Sequence, residues 1–110
     1  MHEIKAIIRP QRLDEVMRAL HAIAGLPGVT VSTVHAYSRP QPHDPEVAPR
    51  GLEADFIKLE TVVPDALADR VVEVIQRAAT TGRPGDGMVF KIPVADAVRV
   101  RNGEHGVTAL

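Results

Sequence analysis

The hydrophobic spacing of this chain changes from about 2 to about 3.6 residues and back, twice along the sequence, and few folds accommodate that order. In EIKAIIRP, the side chains of Ile4, Ala6 and Ile8 share one face of an extended chain, which predicts a strand. Residues 11–25 then carry apolar side chains at helical spacing and end at Gly25. This pattern predicts a helix with a glycine stop.

The second half of the chain repeats this order. Strands are predicted over 29–37, 54–63 and 88–94, and a second helix is predicted over 64–79 with Asp65 as its N-cap. The full order is strand, helix, strand, strand, helix, strand. It is typical of the ferredoxin-like double βαβ plan, an α+β fold in which a four-stranded antiparallel sheet carries two helices on one face.

The predicted sheet has apolar residues on both faces, but two helices on one side cover only one of them. Covering the other face by self-association is the natural solution. With 110 residues, we expect a single domain spanning 1–110, and small domains often gain stability by oligomerising. Within each of four elements, one set of side chains is predicted to share a face. The sets are, for the first helix, Leu13, Val16, Met17, Leu20, Ile23 and Ala24; for the third strand, Ile57, Leu59, Thr61 and Val63; for the second helix, Leu67, Val71, Val74, Ile75 and Ala78; and for the fourth strand, Met88, Phe90 and Ile92.

Composition excludes several classes of function. A formal net charge of −1 argues against a general nucleic-acid or membrane-surface binder. The chain has no cysteine, which excludes disulfides, thiolate metal sites and cysteine nucleophiles. The N-terminal MHEIKAIIRP has no signal-peptide profile, and no apolar run approaches the ~18 residues of a membrane span. We therefore expect a cytoplasmic protein that neither binds nucleic acid nor inserts into a membrane.

Two loops have unusual composition. Residues 38–53 contain four prolines and few large apolar side chains, which predicts a long flexible loop, and loops of this length are usually functional or disordered. Residues 80–88 contain Gly82, Gly85 and Gly87. Glycine permits positive φ and close backbone approach, so these residues predict a loop whose N–H groups converge on a phosphate. A plain connection between helix and strand explains the same composition.

Two arginines lie near the C-terminus. The spacing of Arg99 and Arg101 places both guanidinium groups on one side of an extended segment. Two planar donor forks on one side suit an oxyanion, and a solvated edge strand explains the same spacing.

The segments EIKAIIRPQRLDEVMRAL, GVTVSTV, TGRPGDGMVF, PV and AVRVRNGEHG together resemble the PII signal-transduction proteins, which are nitrogen regulators. The resemblance covers nearly the whole chain outside residues 38–56. It implies a homotrimer of ferredoxin-like protomers that binds adenine nucleotide (ADP, ATP or AMP) in the clefts between subunits, and it makes magnesium a candidate cofactor. It also implies that the long loop grips a target protein.

The resemblance implies roles for individual residues. Residues 80–88 would wrap the phosphates, which two arginines of the protomer across the cleft would also reach. Thr30 would lie near the adenine and ribose, and Ile7 with Val62 or Val63 would lie around the base, although core packing explains the same apolar positions. The implied nucleotide-binding set is Ile7, Thr30, Val62, Gly82, Arg83, Gly85, Asp86, Gly87, Met88, Arg99 and Arg101. The implied partner-binding residues of the loop are Arg39, Gln41, His43 and Arg50.

Three positions depart from the family's usual pattern. Met88 replaces a lysine that contacts phosphate, which predicts weaker discrimination in favour of ATP. Pro49 replaces the modifiable tyrosine, and Pro40 replaces a glutamine that helps to bind magnesium with 2-oxoglutarate. These departures argue against standard uridylylation and against 2-oxoglutarate sensing. The chain therefore resembles the non-standard PII-like regulators that occur beside transporters, which implies a membrane transporter as its target.

A histidine in the long loop supports an alternative. His43, Asp44 and Glu46 could bind a divalent metal, with three copies meeting on a trimer axis, in a protein linked to heavy-metal efflux or tolerance. A solvated polar loop explains the same residues, and His43 is the only metal candidate. We find no catalytic triad, paired carboxylates or Walker lysine, so we expect that the protein is not an enzyme.

Overall fold

The computed structural model describes residues 1–37 and 53–110. Its regular elements follow the predicted order closely. In chain order they are β1 (His2–Ile8), a 3-10 turn (Pro10–Arg12), α1 (Leu13–His21), β2 (Thr30–Tyr37), β3 (Glu53–Val63), α2 (Asp65–Ala79), β4 (Gly87–Pro93) and a C-terminal 3-10 turn (Val107–Ala109).

The four strands form one antiparallel sheet in the order β2-β3-β1-β4. β1 is central, and Ala6 pairs with Leu59 on one side and with Val89 on the other. Both connections that contain a helix join strands that are not neighbours in the sheet. The predicted ferredoxin-like α+β fold is therefore confirmed.

The core lies between the sheet and the two helices. Cross-strand partners point to the same face of a sheet, so the register places alternate residues of β1 and β3 beneath the helices. The buried polar residue Thr61 is satisfied because its hydroxyl donates to the Gly28 carbonyl oxygen at 3.0 Å. The buried apolar residues are Ile4, Ala6, Ile8, Val16, Leu20, Ile23, Ile57, Leu59, Val63, Ala68, Val71, Ile75 and Ala79.

Both helices differ at their ends from the sequence prediction. α1 begins at Leu13 because the residues from Pro10 form a tighter 3-10 turn. α2 begins at Asp65 itself, with Pro64 at the cap position, so the predicted capping role of Asp65 is wrong. Its carboxylate instead accepts from the Met1 ammonium at 2.9 Å and lies 2.7 Å from His2 Nδ1. These contacts hold the pKa of Asp65 below its usual value, chiefly through the hydrogen bond from the ammonium.

The face of the sheet that carries no helix, called here the open face, mixes apolar and charged side chains. The Glu3 and Glu60 carboxyl groups share a hydrogen bond, which raises the pKa of Glu3 and lowers that of Glu60. Lys58 Nζ lies 3.4 Å from Glu60 Oε1. Around this charged centre the open face carries Ile7, Val34, Phe56, Val62, Met88 and Phe90. The open face is thus more polar at its centre than the sequence pattern predicted.

Strand β4 confirms the predicted alternation. Met88 and Phe90 project from the open face and are 61% and 41% exposed. Lys91 projects to the other face, where its Nζ lies 3.0 Å from Asp69 Oδ1 on α2. Lys91 therefore lies on the opposite face from Met88, as predicted.

Candidate functional site

The glycine-rich turn between α2 and β4 is organised around the carboxylate of Asp86. One oxygen accepts from the backbone N–H groups of Thr81 and Gly82 at 2.7 and 3.1 Å, and the other accepts from the Thr81 hydroxyl at 2.5 Å. These hydrogen bonds hold the pKa of Asp86 well below its usual range, and the bond from the Thr81 hydroxyl has the largest effect. The sequence predicted N–H groups that converge on an anion. In the structure, two of these groups converge on an anion that the turn itself supplies.

Arg9 closes this turn from the end of β1. Its Nε donates to Asp86 Oδ1 at 2.9 Å, and its Nη2 donates to the Pro84 carbonyl oxygen at 2.7 Å. Sequence reasoning missed Arg9. The sheet topology could have indicated this contact, because the antiparallel pairing of β1 with β4 brings the end of β1, which Arg9 follows, beside the start of β4, which the turn precedes.

Gly87 begins β4 at the point of closest backbone approach. It pairs with Ile8 and has φ of 109°, and a Cβ at this position would overlap the carbonyl oxygen of Ile7. Only glycine fits there without a shift of the strand pair. The turn proper therefore covers residues 80–86, and the last two residues of the predicted phosphate loop belong to the strand.

A shallow cavity of about 480 Å³ lies where this turn meets the open face. We call it the apolar basin, because Tyr37, Phe56, Met88 and Phe90 contribute aromatic and thioether surface to it. The exposed Arg83 lies at its edge. Its full lining is Ile7, Ala36, Tyr37, Phe56, Arg83, Gly85, Asp86, Gly87, Met88 and Phe90.

A second cavity, of about 540 Å³, lies toward the opposite end of the open face, and we call it the acidic cavity. It contains Thr30 and Val62 beside the Glu3 and Glu60 carboxyl pair. Ile7 lies four positions after Glu3 on β1, which corresponds to about 13 Å along a strand. The full lining is Glu3, Pro27, Gly28, Thr30, Glu60, Thr61, Val62 and Leu110.

The two C-terminal arginines lie on a small hairpin, not on an extended segment. Val98 pairs with His105, and the Gly103 N–H donates to the Arg99 carbonyl oxygen at 2.8 Å, which places Arg101 in the turn. The expectation that both guanidinium groups follow one strand face is therefore wrong, because the backbone reverses between Arg99 and Glu104. Neither arginine lines the apolar basin or the acidic cavity formed by residues 1–37 and 53–110.

Side-chain contacts hold this hairpin in shape. Arg99 Nη1 donates to Glu104 Oε2 at 3.0 Å, and Nη2 donates to the Thr108 carbonyl oxygen at 3.2 Å. At the hairpin's base, His105 Nδ1 lies 2.7 Å from Asp96 Oδ2, and this contact is the main reason that the pKa of Asp96 is lowered. The guanidinium of Arg101 remains exposed.

The predicted site residues therefore fall into separate groups within one chain. The apolar basin holds Ile7 and Met88 with most of the glycine-rich turn, the acidic cavity holds Thr30 and Val62, and the hairpin carries the two arginines. The predicted partner-binding residues lie outside the described residues: Arg39, Gln41, His43 and Arg50. In the parts of the chain that the structure does describe, no three metal-ligating side chains cluster.

Neither described helix combines the length and hydrophobicity that are needed to cross a bilayer.

Comparison with known proteins places this arrangement in one family. A family model described as Nitrogen regulatory protein P-II matches residues 1–104. The P-II proteins of Rhodospirillum rubrum and Azospirillum brasilense are 43% and 42% identical to the chain, and each alignment covers both chains completely. The crystal structure of Arabidopsis thaliana PII bound to citrate has a TM-score of 0.81 at 36% identity, covering 99% of this chain and 91% of that one. The chain belongs to the nitrogen regulatory protein P-II family of signal-transduction regulators.

Proposed function

We propose that three copies of this domain, residues 1–110, assemble and bind adenine nucleotide where two copies meet. The observation that carries this proposal is the division of the site residues in the single chain. One chain contains apolar residues that suit a base, a glycine-rich turn that suits phosphates, and two arginines. These three groups lie on different surfaces of the chain. A second copy laid against the first would bring one chain's apolar basin to another chain's acidic cavity and hairpin.

Exposed apolar surface supports assembly. The hairpin and C-terminal turn expose Val98, Val100 and Val107, and Val100 is completely exposed. The open face adds Met88 and Phe90. Surface of this kind is costly in a monomer and is typical of a subunit interface.

The geometry of the turn determines which groups are left for the phosphates. Asp86 already occupies the N–H groups of Thr81 and Gly82, so we assign phosphate contacts to the backbone around Gly85 and Gly87. Positive charge would come from Arg83 of the same chain and from the neighbouring copy's hairpin. Magnesium would neutralise part of the phosphate charge where the family's usual lysine is absent.

We propose that the protein is a cytoplasmic regulator that controls a partner protein, and that this partner is a membrane transporter. Residues 38–53 would make that contact, through Arg39, Gln41, His43 and Arg50. The departures at Pro40 and Pro49 make 2-oxoglutarate and uridylylation poor candidates for the controlling signals. Adenine nucleotide is then the effector that the described residues support best.

Calorimetric titration with AMP, ADP and ATP, each with and without magnesium, tests the nucleotide proposal. We expect saturable binding with one site per chain, no binding of guanosine nucleotides, and a light-scattering mass three times the 11.9 kDa of the monomer. A monomer mass together with no nucleotide binding would contradict the proposal.

Capture from detergent-solubilised membranes tests the partner. A variant in which Arg39, Gln41, His43 and Arg50 are all alanine should lose a transporter that the parent retains, while its nucleotide titration stays unchanged. Equal capture by both proteins would show that residues 38–53 do not make the contact.

A further inference from the structure

A third cavity, of about 380 Å³, adjoins the glycine-rich turn outside the apolar basin. It is lined by Arg9, Gln11, Arg12, Thr81 and Arg83, and we call it the arginine pocket. Three of its five lining residues are arginines, and none is Asp or Glu. A cavity with such a lining calls for a physical explanation, because like charges repel unless an anion lies between them.

Hydrogen bonds to the glycine-rich turn and to α2 hold two of these arginines in place. Arg9 is fixed by its bonds to Asp86 and to the Pro84 carbonyl oxygen. The Nε and Nη2 of Arg12 both donate to the Ala78 carbonyl oxygen near the end of α2, at 3.0 and 2.7 Å. Both side chains are about one third exposed, so their positions are set largely by packing. A ligand that arrives in the pocket would not have to order them.

The charges around the pocket are not balanced. Asp86 pairs with Arg9, but the acceptor for Arg12 is a neutral carbonyl, and its nearest carboxylate oxygen, on the exposed Glu15, lies 3.8 Å away. That distance is beyond a hydrogen bond, and exposed pairs of this kind contribute little. Arg83 forms no ion pair with any described residue. Three cations therefore meet one closely paired carboxylate.

We infer that the arginine pocket binds a small oxyanion, such as a phosphate or carboxylate group, at a second site that adjoins the proposed nucleotide cleft and shares only Arg83 with the apolar basin. Guanidinium groups bind both kinds of group through charge-assisted hydrogen bonds. The bonds that fix Arg9 and Arg12 use Nε and Nη2, so Nη1 of each side chain is left to donate to an anion, together with the guanidinium of Arg83. The Gln11 side-chain amide can add a neutral donor. The three arginines and Gln11 come from one chain, so the pocket does not require a second copy.

The pocket shares two residues with neighbouring features. Arg83 lines both the arginine pocket and the apolar basin, and Arg9 is the residue that closes the glycine-rich turn. An anion bound here lowers the positive potential at both residues. The pocket therefore gives a second small anion a direct route to influence the turn.

Titration of the ¹⁵N-labelled protein without nucleotide, at constant ionic strength, tests the inference. Inorganic phosphate is the first probe, succinate is the carboxylate probe, and chloride is the non-specific control. We expect saturable shifts of the Gln11, Thr81 and Arg83 amides and of the Arg9 and Arg12 Nε–H signals. A response to phosphate alone would assign the site to phosphate groups, and a response to succinate alone would assign it to carboxylates.

Variants decide where the anion binds. Arg12→Gln and Arg83→Gln should each weaken phosphate binding tenfold or more, whereas Arg18→Gln, an exposed arginine of α1 outside the pocket, should not change it. If Arg12→Gln does not fold, because the Ala78 carbonyl loses its donors, Gln11→Leu answers the same question, since Gln11 lines the arginine pocket and not the apolar basin. Non-saturable shifts, or equal weakening by Arg18→Gln, would overturn the inference.

Two results would separate this inference from the nucleotide proposal. Weakening by Arg83→Gln without weakening by Arg12→Gln would place the anion in the apolar basin and overturn the inference. Phosphate shifts confined to the hairpin around Arg99 and Arg101 would overturn it as well. A protein that binds phosphate at Arg12 but binds no adenine nucleotide would support the arginine pocket and contradict the proposed function.

Discussion

The Nε of Arg9 lies 2.9 Å from Oδ1 of Asp86, a residue 77 positions further along the chain. This contact ties the end of the central strand to the middle of the glycine-rich turn. Since Asp86 also accepts two backbone N–H groups and a hydroxyl, the turn has an internal anion and an internal counter-charge. Its shape is thus specified within one chain.

Replacing Asp86 with asparagine should change how stability depends on pH. A carboxyl whose pKa is lowered by folding contributes stability that is present above its unfolded pKa, about 3.9, and that is lost as pH falls through the folded pKa. Between pH 5 and pH 2, the melting temperature of the parent should therefore fall more steeply than that of Asp86→Asn. Calorimetric scans across this range provide the measurement. Asp69→Asn, at an exposed carboxyl, is the control for the loss of one negative charge outside the turn.

Gly87→Ala should destabilise the fold by more than about 1 kcal/mol. The added Cβ would overlap the backbone of Ile7, and the residue would keep a φ of 109° that alanine rarely adopts. Chemical denaturation measures the loss. Gly28→Ala is a matched control, because its Cβ would meet no atom within 4 Å, and it should change stability by less than about 0.5 kcal/mol. Equal effects at both positions would contradict the close-approach argument.

The two hairpin arginines should differ in their effects on stability. Arg99→Ala removes one hydrogen bond within the hairpin and one to Thr108 in the C-terminal turn, and it should lower the melting temperature, whereas the exposed Arg101 should tolerate alanine. Charge-assisted hydrogen bonds contribute about 1.5–3 kcal/mol each, so each change should weaken nucleotide binding by roughly ten- to a hundredfold. Thermal scans and nucleotide titrations separate the two effects. If the double variant binds nucleotide as the parent does, neither arginine belongs to the binding site.

Met88→Lys should raise affinity for ATP more than for AMP. The side chain is 61% exposed at the apolar basin, and an added ammonium there would attract the more highly charged ligand by about 1 kcal/mol more. Paired titrations with the two nucleotides measure the difference. Met88→Gln, which is polar but uncharged, should leave the ratio of the two affinities unchanged. An equal gain for both nucleotides in Met88→Lys would mean that residue 88 does not face the phosphates.

Periodicity predicted most of the fold, because burial on one face imposes a repeat on the sequence. Ile57, Leu59, Thr61 and Val63 were predicted to share a face and do so in the core. In α2, Val71 and Ile75 are fully buried as expected, whereas Leu67, Val74 and Ala78 only flank the core. The true stripe is rotated toward Ala68 and Ala79, since small residues allow the helix to lie closer to the sheet.

The candidate site was harder to predict, because its contacts join distant parts of the chain. Nothing in the local sequence shows that Arg9 reaches Asp86, or that Asp65 turns away from its helix toward Met1. The reversal after Arg99 depends on Glu104, a partner that strand spacing does not reveal. The glycines were the most informative local signal, since Gly85 and Gly87 both have positive φ.

A turn that already surrounds its own carboxylate has a consequence for signalling. Its internal hydrogen bonds specify its form without a ligand, so we expect that binding orders the turn little and that association is not slowed by a folding step. What a newly bound phosphate does change is the local electric field, beside a fixed negative charge at Asp86. If the turn contacts phosphates as proposed, it would therefore respond to the number of charges on its ligand through electrostatics and not through a change of shape.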